Sequence, residues 1–439
     1  MEMFCHGYQS WSESGWRTVG VDGDPSRTPG AIPLFVDMHS GDPTIAQPGE
    51  LRSELVTALR DGPDDPPQIY GGSGTIRYID GELVGADRTY ESFEHWAAET
   101  GKASGARTSA PFQVGWCSWY HYFDRVTEHD IRANLAHAAD WPFDVFQIDD
   151  GFQSEIGDWL TTNDKFPSNI DRLADTIASE GHLPGIWIAP FLAAPNSVVA
   201  QQHPDWFATH ASGRRLIGSF NDHWGGAVHV LDTTNPEVLS HLEATARALV
   251  DAGFTYLKLD FTYAPGLAGS YVDPSITPDE RVRAGFDAIR RGAGEDTFLL
   301  GCGAPLGAAI GLVDGMRIGP DVAPWWELPD DHPFPPGYKA TSPATANALR
   351  ATEARQFMHR HLWLNDPDCV MLRTTHTDLT PDEVRRWALA VGDSGGMVLV
   401  SDDLSLLDDD ARALLDDVIA RGQDVDAQRI GSTSARTNV

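Results

Sequence analysis

The stretch Tyr256-Leu257-Lys258-Leu259-Asp260-Phe261 decides how the rest of the chain is read. As a β-strand it alternates its side chains, so Lys258 and Asp260 share one face while Leu257 and Leu259 share the other. An ion pair at a strand end accounts for this as well as a functional site does, because paired charges do occur in cores. What separates the two readings is how often the pattern recurs.

Working outward, the rhythm begins at Pro111. Short apolar runs alternate with amphipathic stretches, the signal of βα units around a parallel sheet. The strand candidates are Phe112–Trp119, Val145–Asp150, Leu183–Pro190, Tyr256–Asp260, Phe298–Gly303, Gly315–Asp321, Leu362–Asp366 and Gly396–Ser401. Helical stretches follow most of them, at Glu128–Ala139, Ile170–Glu180, Pro236–Ala252, Asp279–Arg291, Thr345–His359 and Pro381–Val391. The expected fold is α/β, a (β/α)8 TIM barrel over residues 111–420. The third-to-fourth connection carries Trp206, Trp224 and a strand-like Val228–Leu231, which predicts an insertion over the barrel mouth.

The flanks read differently. Residues 1–110 are rich in Gly, Pro and Asp and predict a short β-rich N-terminal segment, the remnant of a β-sandwich, with strand-like pieces at Ala31–Met38 and Thr75–Ile79. Thr100–Ala110 reads as a linker and residues 421–439 as a polar tail. Within the first segment, Gly7-Tyr8-Gln9-Ser10-Trp11-Ser12 reads from pattern alone as a packed turn.

Composition bounds the function. A net charge of −32 argues against nucleic-acid and anionic-membrane partners. Asp outnumbers Glu 46 to 18, and only four residues are Lys (Lys102, Lys165, Lys258, Lys339), a balance suited to concentrated salt and read as a halophilic adaptation. A chain that avoids Lys keeps one in the central strand. The four cysteines (Cys5, Cys117, Cys302, Cys369) show no C-x-x-C spacing, so neither a disulfide framework nor a zinc site is indicated. No basic region precedes an apolar run at the N-terminus, and no run approaches the roughly 18 residues that span a bilayer, so a cytoplasmic location is expected.

In such barrels the site lies at the C-terminal ends of the strands. Those ends carry Trp116 to Tyr120, Asp149-Asp150, Trp187, Lys258 and Asp260, then Cys302, Arg317 and Asp321, Asn365-Asp366 with Asp368, and Asp402-Asp403. Any one of these Asp could be a helix cap; so many strand ends behaving alike resist that account. Carboxylates with several Trp, few His and no glycine-rich phosphate loop suit a sugar. Glycoside hydrolysis requires two carboxyl groups flanking the scissile bond, one ionised and one protonated. Asp260 and Asp321 are the pair able to face one another across the mouth.

Gly115-Trp116-Cys117-Ser118-Trp119-Tyr120, Gln147-Ile148-Asp149-Asp150-Gly151 and Gly185-Ile186-Trp187 resemble motifs of glycoside hydrolase family 36, the α-galactosidases. So do Lys258-Leu259-Asp260-Phe261, Gly301-Cys302-Gly303, Met316–Asp321 and Asn365-Asp366-Pro367-Asp368-Cys369, in family order over about Gly115 to Cys369. The resemblance implies a retaining, exo-acting α-galactosidase needing no metal or cofactor, with Asp260 as nucleophile and Asp321 as acid/base. It implies that Asp149 and Asp150 hold the O4 and O6 hydroxyls, that Lys258 binds the O3/O4 edge, and that Cys302 and Arg317 lie around O2. Trp187 would pack beside the ring, with Trp119 and Tyr120 in the pocket wall. The Gly7–Trp11 stretch resembles a family motif whose tryptophan reaches the active site, which makes Trp11 a site candidate. Positive charge from Lys258 and Arg317 is expected to keep Asp260 ionised.

The family usually has a large β-sandwich before the barrel and a β-domain after it; here about 110 residues precede it and about 20 follow it, which is expected of a shortened form, a fragment or a chain with a misassigned start. The expected partner is an α-galactoside such as melibiose or a raffinose-type oligosaccharide, and a homo-oligomer is compatible with the reading. A raffinose-synthase-type galactosyl transferase, an α-N-acetylgalactosaminidase, a Schiff-base aldolase acting through Lys258, a metal-dependent enzyme using the Asp cluster and a sugar-binding protein without turnover stay open.

Overall fold

The computed structural model describes residues 1–22, 50–330 and 340–436. An antiparallel N-terminal sheet comprises β1 (Glu2–Cys5), β2 (Gly15–Thr18), β3 (Leu51–Arg60), β4 (Gln68–Ile79), β5 (Glu82–Val84) and β6 (Arg88–Tyr90), in the order β2-β1-β3-β4-β5 with β6 also on β4. The strand expected at Thr75–Ile79 is the end of β4; the one expected at Ala31–Met38 lies outside the described residues.

The catalytic-type barrel follows. Its strands are β7 (Val114–Cys117), β8 (Val145–Ile148) and β9 (Leu183–Ile188), then, after an insertion of β10 (Leu192–Ala193), β11 (Ile217–Asn221) and β12 (Gly226–Val230), β13 (Tyr256–Leu259), β14 (Phe298–Gly301), β15 (Gly315–Arg317), β16 (Leu364–Asp366) and β17 (Val398–Val400). Eight parallel strands among the described residues run in the order β16-β15-β14-β13-β9-β8-β7-β17. The seam between β16 and β17 is spanned by the Met397 amide donating to Asn365 O (2.9 Å) and by Val370, which bonds to both Leu399 and Ser401. β13 and β8 are buried throughout, as strands covered on both faces must be.

Of the eight longer helices among the described residues, the middle six form where the sequence predicts helical stretches and the first and last do not. They are α1 (Phe93–Ser104), α2 (Glu128–Ala138), α3 (Ile170–Ser179), α4 (Pro236–Asp251), α5 (Pro278–Ala293), α6 (Thr345–Arg355), α7 (Pro381–Ser394) and α8 (Asp409–Arg436). The repeated Thr-Pro-Asp-Glu at Thr277 and Thr380 starts α5 and α7 identically. Each Thr caps the amide three residues on, each Glu bonds back, and proline occupies the first turn, where no amide partner is needed.

Two expectations at the flanks are corrected. The presumed linker Thr100–Ala110 is helical through Ser104 as part of α1, and its end is clasped by Arg360, which donates to Thr108 O (2.7 Å) and Ala110 O (2.6 Å). The presumed polar tail 421–439 is instead helix through Arg436, the second half of α8. Asp426 anchors that helix, accepting two bonds from Arg360 (2.6 and 2.8 Å) and one from His359 (2.7 Å) in a buried cluster. One buried carboxylate facing a bidentate guanidinium supplies the docking that the helix's weakly amphipathic sequence does not advertise.

The N-terminal segment shares the barrel's hydrophobic core, through Phe93 stacked on Phe357 (4.9 Å) with Phe4 beside it. Arg355 of α6, fully buried, donates to the carbonyls of Ser10 (2.5 Å), Gln9 (3.2 Å), Ser12 (2.9 Å) and Ile318 (2.8 Å). It thereby pins the Gly7–Ser12 loop to the barrel beside the end of β15.

Candidate active site

Strand register decides which inward side chains meet. Gln147 pairs with Gly185 and Trp187 with Lys258, so Asp149, Trp187 and Lys258 lie on one rung, with Asp260 one rung above. Lys258 Nζ accordingly pairs with Asp149 Oδ2 at 2.8 Å rather than with Asp260, which corrects the ion pair expected along β13. Gln147 Nε2 donates to the same oxygen (2.5 Å), and the Ser118 hydroxyl accepts from the Asp149 amide (2.9 Å). Burial opposes the charge on Lys258, yet Asp149 outweighs it and holds the ammonium well above the ordinary lysine range. A Schiff-base lysine needs a free amine, so this contact disfavours the aldolase reading.

Asp150 is enclosed by the insertion. Its Oδ2 accepts from Trp224 Nε1 (2.8 Å) and its Oδ1 from Gln153 Nε2 (2.6 Å). Burial pushes this carboxyl up to about 6, against the pull of those two donors, and the Asp149 and Asp260 charges add to it. The insertion expected over the mouth thus contributes Trp224 to the site, a contact with Asp150 that its sequence did not mark.

Asp260 follows the last ladder residue of β13. Its Oδ2 accepts from Trp187 Nε1 (3.0 Å) and its Oδ1 from the Phe261 amide (2.7 Å), so both oxygens are oriented. Phe261 takes a left-handed backbone, φ 52°, which costs a bulky residue roughly 1–2 kcal/mol. The ring is held by edge-to-face contacts with Trp224 (4.9 Å) and Trp11 (5.2 Å), which offset that cost.

Trp11 thereby reaches the rim from the far end of the chain. It passes over Gly303, which has φ 57° and where an added Cβ would stand 3.0 Å from two Trp11 ring carbons and 3.3 Å from Phe261 Cα. Gly303→Ala is therefore expected to displace Trp11, raising KM about 10-fold or more while the thermal transition moves by only a few degrees. Steady-state kinetics beside a melting curve checks this, and an unchanged KM would contradict it.

Asp321 lies beyond β15. Its side chain is 34% exposed through the mouth, and its Oδ1 accepts from Arg317 Nη1 (2.9 Å). Burial raises its proton affinity above the usual carboxylate range, Arg317 opposes this, and the Asp260 charge reinforces it. Arg317 is fully buried and divided among three carboxylates, with Asp366 at 3.2 Å and Asp368 at 2.7 Å besides Asp321. It does not contact Asp260 in these pairings, so the expected support for that carboxylate from Arg317 is not direct. Cys302 is buried beneath the same rim, its thiol pushed up by burial and by Asp260.

Tyr120 is buried and donates its hydroxyl to Asp368. Trp119 turns instead to Phe123, edge to face at 5.4 Å, and is half-buried. Most of the expected residues therefore converge on one rim; Trp119 stands at its margin, and Trp224, Gln153, Gln147 and Phe261 join it unannounced. Among the described residues no group of three or more His, Cys, Asp or Glu is arranged to hold a metal ion, and no helix is long and apolar enough to cross a membrane.

Fold and site together define an α/β-barrel protein of the glycoside-hydrolase type, with acidic groups and aromatic rings gathered at the C-terminal ends of its strands. The melibiase family model matches residues 108–270. The solved α-galactosidase TtGalA from Thermus thermophilus, crystallised with p-nitrophenyl α-D-galactopyranoside, superposes with a TM-score of 0.81 at 34% identity over 96% of this chain and 86% of that one. The chain belongs to the α-galactosidase (melibiase) family. Alpha-galactosidase AgaA from Geobacillus stearothermophilus is 30% identical over 214 residues, 47% of this chain and 27% of that protein. The "A type blood alpha-D-galactosamine galactosaminidase" of Flavonifractor plautii is 27% identical over 260 residues, 54% of this chain and 24% of that protein. The alignments thus span about a quarter of these curated relatives.

Proposed function

We propose that this protein is a retaining, exo-acting α-galactosidase that removes terminal α-D-galactosyl residues by double displacement. One observation carries the reading: the two carboxyl groups at the ends of β13 and β15 sit in opposed environments. Asp260 has both oxygens oriented by N–H donors, and Asp321 is raised in proton affinity yet open to the mouth. In the first step Asp260 attacks the anomeric carbon while Asp321 passes its proton to the departing oxygen. In the second, Asp321 takes a proton from water, the water oxygen attacks the same carbon, and the Asp260 ester bond breaks. Two inversions restore the α configuration.

Specificity follows from the floor. Asp149, held by Lys258, and Asp150, held by Trp224, would receive the O4 and O6 hydroxyls; these fixed acceptors suit an axial O4, and an equatorial one would not reach them. The Trp224 contact on Asp150 and the Trp11–Phe261 contact place bulky rings around this end of the site, which supports attack at chain ends. Tyr120 and Arg317 act through Asp368 and Asp321, and the Asp-rich, Lys-poor composition supports work in concentrated salt.

The test is the anomer first released from p-nitrophenyl α-galactoside, followed by proton NMR before mutarotation. α-Galactose is the expected product; β-galactose would overturn the retaining mechanism. α-N-acetylgalactosaminidase activity is a second reading, favoured by the similarity to the Flavonifractor protein, and the corresponding N-acetylgalactosaminide in the same assay separates the two.

A further inference from the structure

We propose that Asp368 is a positioning residue for Asp321, holding it from two sides and supplying negative charge that keeps it able to carry its proton. This inference rests on Asp321 being the acid/base.

Asp368 lies two residues past β16, wholly buried, with φ 94°, a conformation that side chains other than glycine's rarely adopt. Such strain persists only where surrounding contacts over-determine it, and here four donors do so. Oδ2 accepts from the Tyr120 hydroxyl, which comes from the short helix Trp119–Tyr122 after β7, and from the Val322 amide (2.9 Å). Oδ1 accepts from the Cys369 amide (2.7 Å) and faces Arg317 Nη2 (2.7 Å). Two of these partners lead directly to Asp321: Val322 is its neighbour in the chain, and Arg317 donates to its Oδ1. The backbone behind Asp321 and the guanidinium in front of it are thus tied to one carboxylate.

The electrostatic consequence has a definite sign. Arg317 favours loss of the Asp321 proton. Asp368 and Asp366 share that guanidinium and offset its pull. The charged and titratable groups facing Asp368 are Arg317, Asp321, Asp366 and Tyr120, with Cys369 beside it and Lys258 farther off. Burial pushes the Asp368 carboxyl itself up to about 7, against the pull of Arg317 and with Asp321 and Asp366 adding to it, so its charge develops as pH rises through that value. Neutralising Asp368 leaves Arg317 less compensated, so the Asp321 proton is lost at lower pH.

The experiment compares Asp368→Asn and Asp368→Glu with wild type in kcat/KM against pH, using melibiose and an activated aryl galactoside. Asp368→Asn is expected to move the basic limb about one unit toward acid and to lower kcat on melibiose about 10- to 100-fold, with a smaller loss on the aryl substrate. Asp368→Glu keeps the charge but displaces the Val322 contact; its limb should stay in place while kcat on melibiose falls. If Asp368→Asn fails to fold, the Glu variant decides: a lowered melting temperature with unchanged kcat per folded enzyme would leave only a structural role and overturn the proposal. An unmoved limb in a folded Asp368→Asn would overturn it as well. Asp321→Asn run alongside separates the two readings. If that variant keeps its activity on melibiose, the acid/base assignment fails; if it is inactive while the Asp368→Asn profile is unmoved, only the positioning role fails.

Discussion

Asp260→Ala is expected to lower kcat on p-nitrophenyl α-galactoside by about 10³- to 10⁵-fold, a rise in barrier of roughly 4–7 kcal/mol. The nucleophile forms the bond that splits the reaction into two steps, so its loss removes a pathway rather than weakening a contact. Binding should survive, because Asp149, Asp150 and Lys258 are held by their own partners and not by Asp260. The alanine leaves a space below the sugar where the carboxylate stood, with Trp187 Nε1 and the Phe261 amide still lining it. Azide entering that space would attack the anomeric carbon once, and β-galactosyl azide should accumulate. Retention of even a tenth of the wild-type rate, or rescue without that product, would show that another group is the nucleophile.

Asp321→Ala should show the complementary signature. With melibiose, whose departing oxygen is poorly stabilised, a loss of about 10³-fold or more is expected, because no proton arrives as the bond breaks. With a dinitrophenyl leaving group the first step needs no acid, so the loss should be much smaller, and KM should fall as galactosyl-enzyme accumulates. Azide would intercept that intermediate from the opposite face and yield α-galactosyl azide. The pH dependence has a fixed direction. Asp321 holds its proton above the usual carboxylate range, so activity is present below its shifted value and is lost as pH rises through it. That basic limb should vanish in the variant. An equal loss on both substrates, with the limb intact, would assign the proton transfer elsewhere.

Much of the barrel was legible because its strands are short apolar runs separated by capped helices. The expected strand ends overshoot the observed ones at Asp149–Asp150, Asp260 and Asp321 for one physical reason. Those carboxylates lie one to four residues past the last strand residue, where the chain leaves the sheet and side chains are free to face the mouth. The end of α8 was not legible. Its docking centres on the buried Asp426 against His359 and Arg360, with Gly422 and Val425 the small apolar contacts beside it, so it read as a polar tail.

The site divides in the same way. Period-two alternation is local, so the order of residues alone determined that Tyr256, Lys258 and Asp260 share a face, and the spacing of carboxylates over successive strands determined which end of the barrel bears the chemistry. Pairing is not local. Only the register of β8, β9 and β13 decided that Lys258 answers to Asp149 instead of Asp260. Only packing brought Trp224 onto Asp150, and Trp11 onto Phe261 across 250 residues of chain. Contacts between such distant segments depend on how whole strands and loops settle against one another; the Gly7–Trp11 motif made Trp11 a site candidate but did not name Phe261 as its partner.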